Sequence, residues 1–370
     1  MKLIIGGDFC PENRAEDRLI AEDEIFDKGY RELWDAVDFR ILNLEGPITH
    51  STQRIKKVGR HIRFNPEILQ GIKKMGVDCF SLANNHIMDF GAEGFKDTIK
   101  YLEGIDIGYF GCSTNKYNIL EKEGIKVAML SFSNNEFSDQ SDYDGTGAYG
   151  IDIINLMKTI FEANQVTKNI VVILHTGLSK FPFPSPKQRE LCHFLIDNGV
   201  SAVLCQHSHT IGSYEHYGNG FISYGQGSFV FDLIRNNSIW NEGYSLSLTF
   251  QNRQMKVDII PHKQFDNTLN VRLLTNKEMS LFHDKMDEYN KVISSTSLLE
   301  ERWLTYLDNN EKYYINQFFL PKNRILRKLL NRFNFLNFIS EGLQLTLLNN
   351  LRNDEHKEVM VDLLKRNIYK

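Results

Sequence analysis

Long apolar segments are missing from this sequence. No stretch reaches the roughly 18 uninterrupted apolar residues that a membrane-spanning helix needs. The first apolar stretch, Leu3–Ile5, is followed at once by Gly6-Gly7-Asp8 and is too short for a signal peptide. We therefore expect no secretory leader and no transmembrane segment.

Cysteine is scarce, and positive charge is not in surplus. The five cysteines are scattered, odd in number and never spaced as Cys-x-x-Cys, which argues against a disulfide framework and favours a reducing cytoplasm. The formal net charge is −4, whereas general binding to nucleic-acid phosphates needs a basic field. We therefore expect a cytoplasmic protein that does not bind nucleic acid.

Short apolar runs alternate with amphipathic stretches up to about Pro261, and this order predicts parallel strands with helices packed on the sheet. The runs predict strands at Leu3–Gly6, Arg40–Leu44, Asp78–Leu82, Lys126–Phe132, Ile170–Leu174 and Ala202–Cys205. The stretches predict helices at Pro66–Met75, Ala92–Glu103, Asp152–Asn164 and Pro186–Asn198.

The rest of the chain divides into a strand-rich part and a helical part. Between Ile211 and Pro261, five short runs separated by Gly/Asn turns suggest a second sheet, antiparallel or mixed. The segment Asn276–Lys370 has helical spacing throughout. We therefore predict an α/β domain over residues 1–270 and an all-helical appendage over 271–370. The appendage carries a basic group that is either a solvated helix face or a docking surface for a membrane or protein partner: Arg324, Arg327, Lys328 and Arg332.

Five predicted strands end in residues that can bind metals. In an open α/β sheet, ligands bind beyond the carboxyl ends of the parallel strands. One such residue alone has an ordinary explanation as a turn former, helix cap or surface histidine, but the repetition favours a metal site. The residues that follow or end these strands are Asp8, Glu45, Asn85, His175, His207 and His209.

Two local patterns sharpen the expectation. In His207-Ser208-His209, persistence of the strand alternation would turn both imidazoles to the same side, where they suit Zn, Mn or Fe. In Asn84-Asn85-His86, an amide oxygen can bind metal while the adjacent histidine stays available for proton transfer. Asp8 and Glu45 add the negative charge that two divalent cations need.

Several ordered motifs resemble the CapA-like proteins, which are named for capsule and poly-γ-glutamate synthesis and belong to the calcineurin-like metallophosphoesterase superfamily. The resemblance covers about residues 1–262. It rests on Gly7-Asp8, the Asn-Leu-Glu-Gly-Pro-Ile-Thr of Asn43–Thr49, the Leu-Ala-Asn-Asn-His-x-x-Asp-x-Gly of Leu82–Gly91, the His-x-Gly of His175–Gly177, and His207–His209.

This resemblance implies a four-layer α/β/β/α sandwich with two divalent metal ions at the strand ends. Position by position, it implies Asp8 and His209 on the first metal, and it places Glu45 as the bridge between the two. The second metal would take Asn85, His175 and His207. His86 would be the general acid, and Asp89 would orient it.

The sequence departs from the family pattern in three places. Cys10 stands where the superfamily often has histidine. It is either a zinc ligand or, as we favour, a small buried residue. The usual Trp-Gly-x-Glu reads Thr176-Gly177-Leu178-Ser179, and the usual Leu-Gly-Asn-Phe reads Gln226-Gly227-Ser228-Phe229. Because these positions line the expected pocket, the substrate of a relative should not be transferred to this chain.

The leading functional prediction is a metal-dependent hydrolase of a phosphate ester or phosphodiester, linked to capsule or cell-surface polymer and glycan synthesis. Two divalent cations activate a bridging water and clamp phosphoryl oxygens, and His86 would protonate the leaving oxygen. Arg63, on the loop after Glu45, is either a phosphate ligand or a solvated loop arginine. Two alternatives stay open: a non-hydrolytic metal-binding component of a synthesis complex, and a metal-dependent amide hydrolase.

Overall fold

The fold is taken from a computed structural model that describes residues 1–57, 59–134, 136–140, 145–233, 240–251, 254–318 and 340–368. The basic group at Arg324, Arg327, Lys328 and Arg332 lies outside the described residues, so both the solvated helix face and the docking surface stay predictions. No helix in these ranges is both long and apolar enough to cross a membrane.

One sheet of eight strands is built around the N-terminal strand. Strand β1 pairs in parallel with β2 and β11, and antiparallel with β12. The strands are β1 (Lys2–Cys10), β2 (Phe39–Leu44), β3 (Cys79–Ser81), β4 (Gly108–Phe110), β11 (Ser228–Phe231), β12 (Glu242–Gln251), β13 (Gln254–Gln264) and β14 (Val271–Leu273).

A second sheet of six strands has the order β5-β6-β7-β8-β10-β9. The adjacent pairs β6–β7, β7–β8 and β8–β10 are parallel, so their carboxyl ends lie at one edge. Its strands are β5 (Tyr117–Lys122), β6 (Ile125–Ser133), β7 (Ile170–His175), β8 (Ala202–Gln206), β9 (Tyr214–Tyr217) and β10 (Gly220–Ser223).

Helices connect many of the strands and also make up most of the described C-terminal residues, 276–318 and 340–368, as the periodicity predicted. They are α1 (Arg14–Ile20), α2 (Lys28–Asp35), a 3-10 turn (Pro66–Ile68) leading into α3 (Leu69–Met75), α4 (Gly91–Gly104), α5 (Ile153–Asn164), α6 (Pro186–Asp197), α7 (Asn276–Ile293), α8 (Thr296–Phe318), α9 (Glu341–Arg352) and α10 (Asp354–Ile368). Sequence analysis did not identify α1 and α2.

Three buried apolar clusters separate the layers. The central one joins the inner faces of the two sheets, for example Ile5 of β1 with Ile173 of β7. Alternation along β1 sends Ile4 to the opposite face, where it packs with Trp34 of α2. The outer face of the second sheet carries α5 and α6 and, beyond them, Trp303 of α8. The four-layer α/β/β/α sandwich implied by the resemblance is therefore confirmed, with C-terminal helices present.

The strand-rich part between Ile211 and Pro261 does not form a sheet of its own, so that expectation was wrong. Strands β9 and β10 extend the second sheet beside β8, whereas β11, β12 and β13 join the first sheet around β1. This part of the chain therefore contributes strands to both halves of the sandwich.

Candidate metal centre

Asp8 is placed by a close approach between two parallel strands. The register of β1 shifts between Asp8 and Phe9 relative to β11. A Cβ added to Gly7 would lie 2.1 Å from the carbonyl oxygen of Gly227, so only glycine fits beside that strand. The result is a fully buried carboxylate at the edge where the strands end.

The histidines reach the same edge from the second sheet. His175 is the last residue of β7, and β8 ends one residue before His207. His207 and His209 have φ angles of 100° and 55°, so the strand alternation we expected does not persist there. Both imidazoles still approach the edge, where their ring centroids lie 6.1 Å apart. Such strained backbone is often concentrated at functional sites.

Two groups of potential metal ligands share one residue. Ligand atoms of Glu45, His175 and His207 lie within 4.8 Å of one another, and so do those of Asp8, Glu45 and His209. Glu45 Oε1 lies 3.8 Å from His175 Nε2 and 3.6 Å from His209 Nε2. This carboxylate therefore stands between a histidine of each group.

Asn85 completes the side of the cluster that holds His175 and His207. Its Oδ1 lies 3.1 Å from His175 Nε2, and that nitrogen lies 3.1 Å from His207 Nδ1. On the other side, His209 Nδ1 lies 3.2 Å from Asp8 Oδ2. The structure thus brings together all six residues that the sequence proposed as ligands, while their roles as ligands stay predictions.

Glu45 is the least satisfied residue of the cluster. Its carboxyl group is 1% exposed, and neither oxygen has a hydrogen-bond partner among the described residues. Burial, reinforced by the charge of Asp8, raises the pKa of Glu45 well above its usual value. Burying an acceptor without a partner costs folding free energy, and a cation bound to the Glu45 carboxylate would offset that cost.

The pKa shifts of Asp8, His175 and His207 favour the protonation states that metal ligands need. Burial and the neighbouring imidazole of His207 lower the pKa of His175, and burial lowers that of His207. Burial alone would raise the pKa of Asp8, but its contacts with His209 and His175 outweigh burial and lower it. Neutral imidazoles and carboxylates fit Zn, Mn or Fe, so this donor set fits the implied cations.

His86 lies next to this cluster in a buried proton-handling network. Its Nδ1 lies 2.7 Å from Asp89 Oδ2, which matches the orienting contact implied by the resemblance. Asp89 also accepts from the backbone N–H of Ile62 at 2.7 Å. Lys57, which sequence analysis missed, pairs with Asp89 and lies 3.1 Å from His86 Nδ1. Burial and the Lys57 ammonium lower the pKa of His86 to about 4.

Arg63 and Cys10 lie apart from the cluster's contacts. The Arg63 side chain is exposed, donates to the backbone carbonyls of His50 and Ser51, and lies over the ring of Phe90 at 5.2 Å. This geometry gives no support to the predicted phosphate contact. Cys10 is fully buried, and burial raises the pKa of its thiol, as the reading of a small buried residue expects.

Three supporting residues were not named as site residues by sequence analysis. Asn43 Nδ2 donates to Asp8 Oδ1 at 2.9 Å and lies 3.3 Å from His175 Nδ1. Ser228 Oγ lies 3.2 Å from His209 Nδ1, and Glu136 accepts from Asn85 Nδ2 at 3.1 Å. Asn43 and Ser228 stand in motifs already noted, whereas nothing local in the sequence marks Glu136.

Comparison with known proteins gives a family match over most of the sandwich. Residues 2–233 match the family described as bacterial capsule synthesis protein PGA_cap. The capsule biosynthesis protein CapA of Bacillus anthracis is 32% identical over 182 residues, covering 46% of this chain and 44% of that protein. The PGA biosynthesis protein CapA of Bacillus subtilis is 29% identical over 212 residues, covering 54% of this chain and 55% of that protein.

The chain spans about half the length of the curated relatives it matches. Among solved structures, a phosphatase from Mycoplasma pneumoniae is similar with a TM-score of 0.48 and 10% identity, covering 72% of this chain and 94% of that one.

Proposed function

The chain belongs to the PGA_cap family of bacterial capsule synthesis proteins, and from that premise we propose that it is a metal-dependent hydrolase. Its substrate class is a phosphate ester or phosphodiester, carried by a small molecule or by a glycan or polymer intermediate. Its place is the synthesis of capsule or another cell-surface polymer, and its compartment is the cytoplasm, where its five unpaired, buried cysteines are stable.

One observation carries this proposal. Two groups of potential ligands meet at Glu45, and both of its buried oxygens are without a hydrogen bond among the described residues. An isolated structural metal site would use one closed ligand set. Two overlapping sets that share a carboxylate are what a pair of cations needs in order to hold a phosphoryl group between them.

The residues of the site would bind two cations and transfer a proton. Asp8 and His209 would hold one cation, Asn85, His175 and His207 the other, and Glu45 both. Bound there, the two cations would supply an activated water and neutralise phosphoryl oxygens. His86 would carry the proton to the leaving oxygen, with Asp89 holding its ring and Lys57 holding Asp89. This role needs a pKa above the value of about 4 that burial and Lys57 give the ring, and the negative charge of a bound phosphoryl group would raise it.

The experiment is a metal-dependent assay on aryl phosphates and sugar phosphates. We expect turnover that a chelator abolishes and that Mn²⁺, Zn²⁺ or Fe²⁺ restores. His207→Ala should remove activity, whereas His216→Ala, at an exposed position on β9, should not. Activity that neither the chelator nor His207→Ala changes would contradict the proposal.

A second function is favoured by the names of the relatives. Both Bacillus proteins are named for biosynthesis, so the cluster could serve a non-hydrolytic component of a polymer-synthesis complex. That reading expects metal binding without turnover on any phosphoester and a protein partner that is captured through the C-terminal helices.

The same assay can distinguish amide hydrolysis, a third possible activity, from phosphoester hydrolysis. A panel that contains phosphoesters beside γ-glutamyl and acetyl-sugar amides distinguishes the two hydrolase readings, since both use a metal-activated water. Amide cleavage with no phosphoester cleavage would replace the leading proposal by an amide hydrolase.

A further inference from the structure

The C-terminal helices lie beyond the family match, yet they reach the metal cluster. The match ends at residue 233, and α10 begins 121 positions later, at Asp354. Asn353, 1% exposed, precedes this helix, and its Oδ1 accepts from the backbone N–H of His356 at 3.0 Å. The cap fixes the orientation of the Asn353 amide, because its oxygen is committed to the helix.

The other end of that amide contacts Glu136, a carboxylate that supports the cluster. Asn353 Nδ2 donates to Glu136 Oε1 at 2.8 Å. Glu136 Oε2 accepts from Asn85 Nδ2 at 3.1 Å, and Oε1 lies 3.8 Å from His207 Nε2. Glu136 therefore lies between the C-terminal segment and two residues of the cluster.

The contact with Asn85 decides which atom of its amide faces the cluster. Because Glu136 is an acceptor, it takes the NH₂ end of Asn85 and leaves Oδ1 pointing to His175. Only that oxygen can bind a cation. Partners that orient ligands in this way commonly change metal affinity by about 10–100-fold when they are removed.

A second contact fixes the strand ends to the same helix. Glu355 binds the side chains of Asn134 and Thr176. Thr176 directly follows His175, and the backbone N–H of Asn134 donates to the His175 carbonyl at 3.1 Å. The first turn of α10 thus contacts both residues that flank the end of β7.

We propose that Asn353 is a positioning residue of the metal centre, acting through Glu136 on Asn85 and His207. The C-terminal helices of this chain are then part of the site. This inference rests on the proposed metal function, and it adds a determinant outside the PGA_cap region.

The test separates positioning from helix capping. Asn353→Ser and Asn353→Asp keep a capping oxygen, but both lose the donor to Glu136, and the aspartate adds a repelling charge. As a control, Trp303→Phe removes the 3.0 Å hydrogen bond from Nε1 to Asp362 within the same helical segment, away from Glu136. Mn²⁺ binding to each full-length protein is measured by titration calorimetry, beside its thermal unfolding midpoint.

We expect Asn353→Asp to weaken Mn²⁺ binding by about 10-fold or more, and Asn353→Ser to weaken it by less. The thermal unfolding midpoints of both variants should be no lower than that of Trp303→Phe. In a double-mutant cycle, Asn353→Ser should add little to Glu136→Gln, because both act through one contact. Wild-type affinity in both Asn353 variants would overturn this inference alone. A wild-type protein that binds no divalent metal would overturn it together with the proposed function.

Discussion

Replacing Glu45 with methionine should stabilise the metal-free protein while it weakens metal binding. Methionine fills a similar volume without polar atoms, so Glu45→Met removes a buried carboxyl group that has no hydrogen-bond partner among the described residues. An unsatisfied buried polar group costs about 1–3 kcal/mol. With an unfolding entropy of about 2.1 cal/mol/K per residue, this gain raises the midpoint of the 370-residue chain by roughly 1–4 °C.

Added metal should make the unfolding midpoint of the wild-type protein higher than that of Glu45→Met. A ligand at 100 times its dissociation constant stabilises a folded protein by about 2.7 kcal/mol, or roughly 3–4 °C here for each filled site. Since Glu45 belongs to both ligand groups, its loss should reduce the shift at each site. Thermal unfolding is recorded in chelator and in excess Mn²⁺.

Asp232→Asn is the matched control. Asp232 is also a buried carboxylate, but it accepts from Arg14 Nε at 2.8 Å and from the Arg14 backbone N–H at 3.0 Å. This variant should lose stability in both buffers and keep the full metal shift. A Glu45→Met protein that is less stable than wild type in chelator, or that keeps the wild-type metal shift, would refute the reasoning.

Three further perturbations test other parts of the account. Lys57→Met should lower the free energy of unfolding by about 3 kcal/mol in denaturant titrations, because it leaves the buried Asp89 without its cation. Lys56→Met, at the exposed neighbouring position, should leave the denaturation midpoint unchanged. Gly7→Ala should cost at least about 2 kcal/mol and weaken Mn²⁺ binding, while Gly104→Ala, with open space around its Cβ, should do neither. Hydrogen bonds from Arg272 lower the pKa of Glu278, so the stability it adds is complete above its unfolded pKa of about 4.5 and is lost progressively as pH falls from there through its lower folded pKa. The wild-type advantage over Glu278→Gln, about 1 kcal/mol at pH 7, should therefore shrink steadily below pH 4.5, and an advantage as large at pH 2 as at pH 7 would contradict this.

Much of the candidate metal site was predictable because parallel strands place their carboxyl ends at one edge. Asp8, His175 and His207 each end or follow an apolar run, and that pattern is visible in the sequence. The orientation of the His207 and His209 rings was not predictable by strand alternation, since a left-handed backbone replaces it. The direction of a turn depends on what packs around it.

Residues that act across long sequence distances were missed. Glu136 meets Asn353 over 217 positions, and Lys57 meets Asp89 over 32. Neither pairing leaves a local pattern, because a lysine or glutamate in a loop looks like any solvated charge.

The distribution of the late strands between the sheets was also beyond the sequence. Nothing in the sequences of β9 to β13 marks which sheet each strand joins, and the partner of each strand is set by packing against the existing sheets. The four-layer order followed from ordered motifs that resemble a known family.

The central claim is a pair of cations that share Glu45, and anomalous scattering from crystals grown with Mn²⁺ tests it most directly. The account predicts two peaks roughly 3.5–4 Å apart, one beside Asp8 and His209 and one beside His175 and His207. A single peak away from Glu45, or none at saturating Mn²⁺, would contradict it.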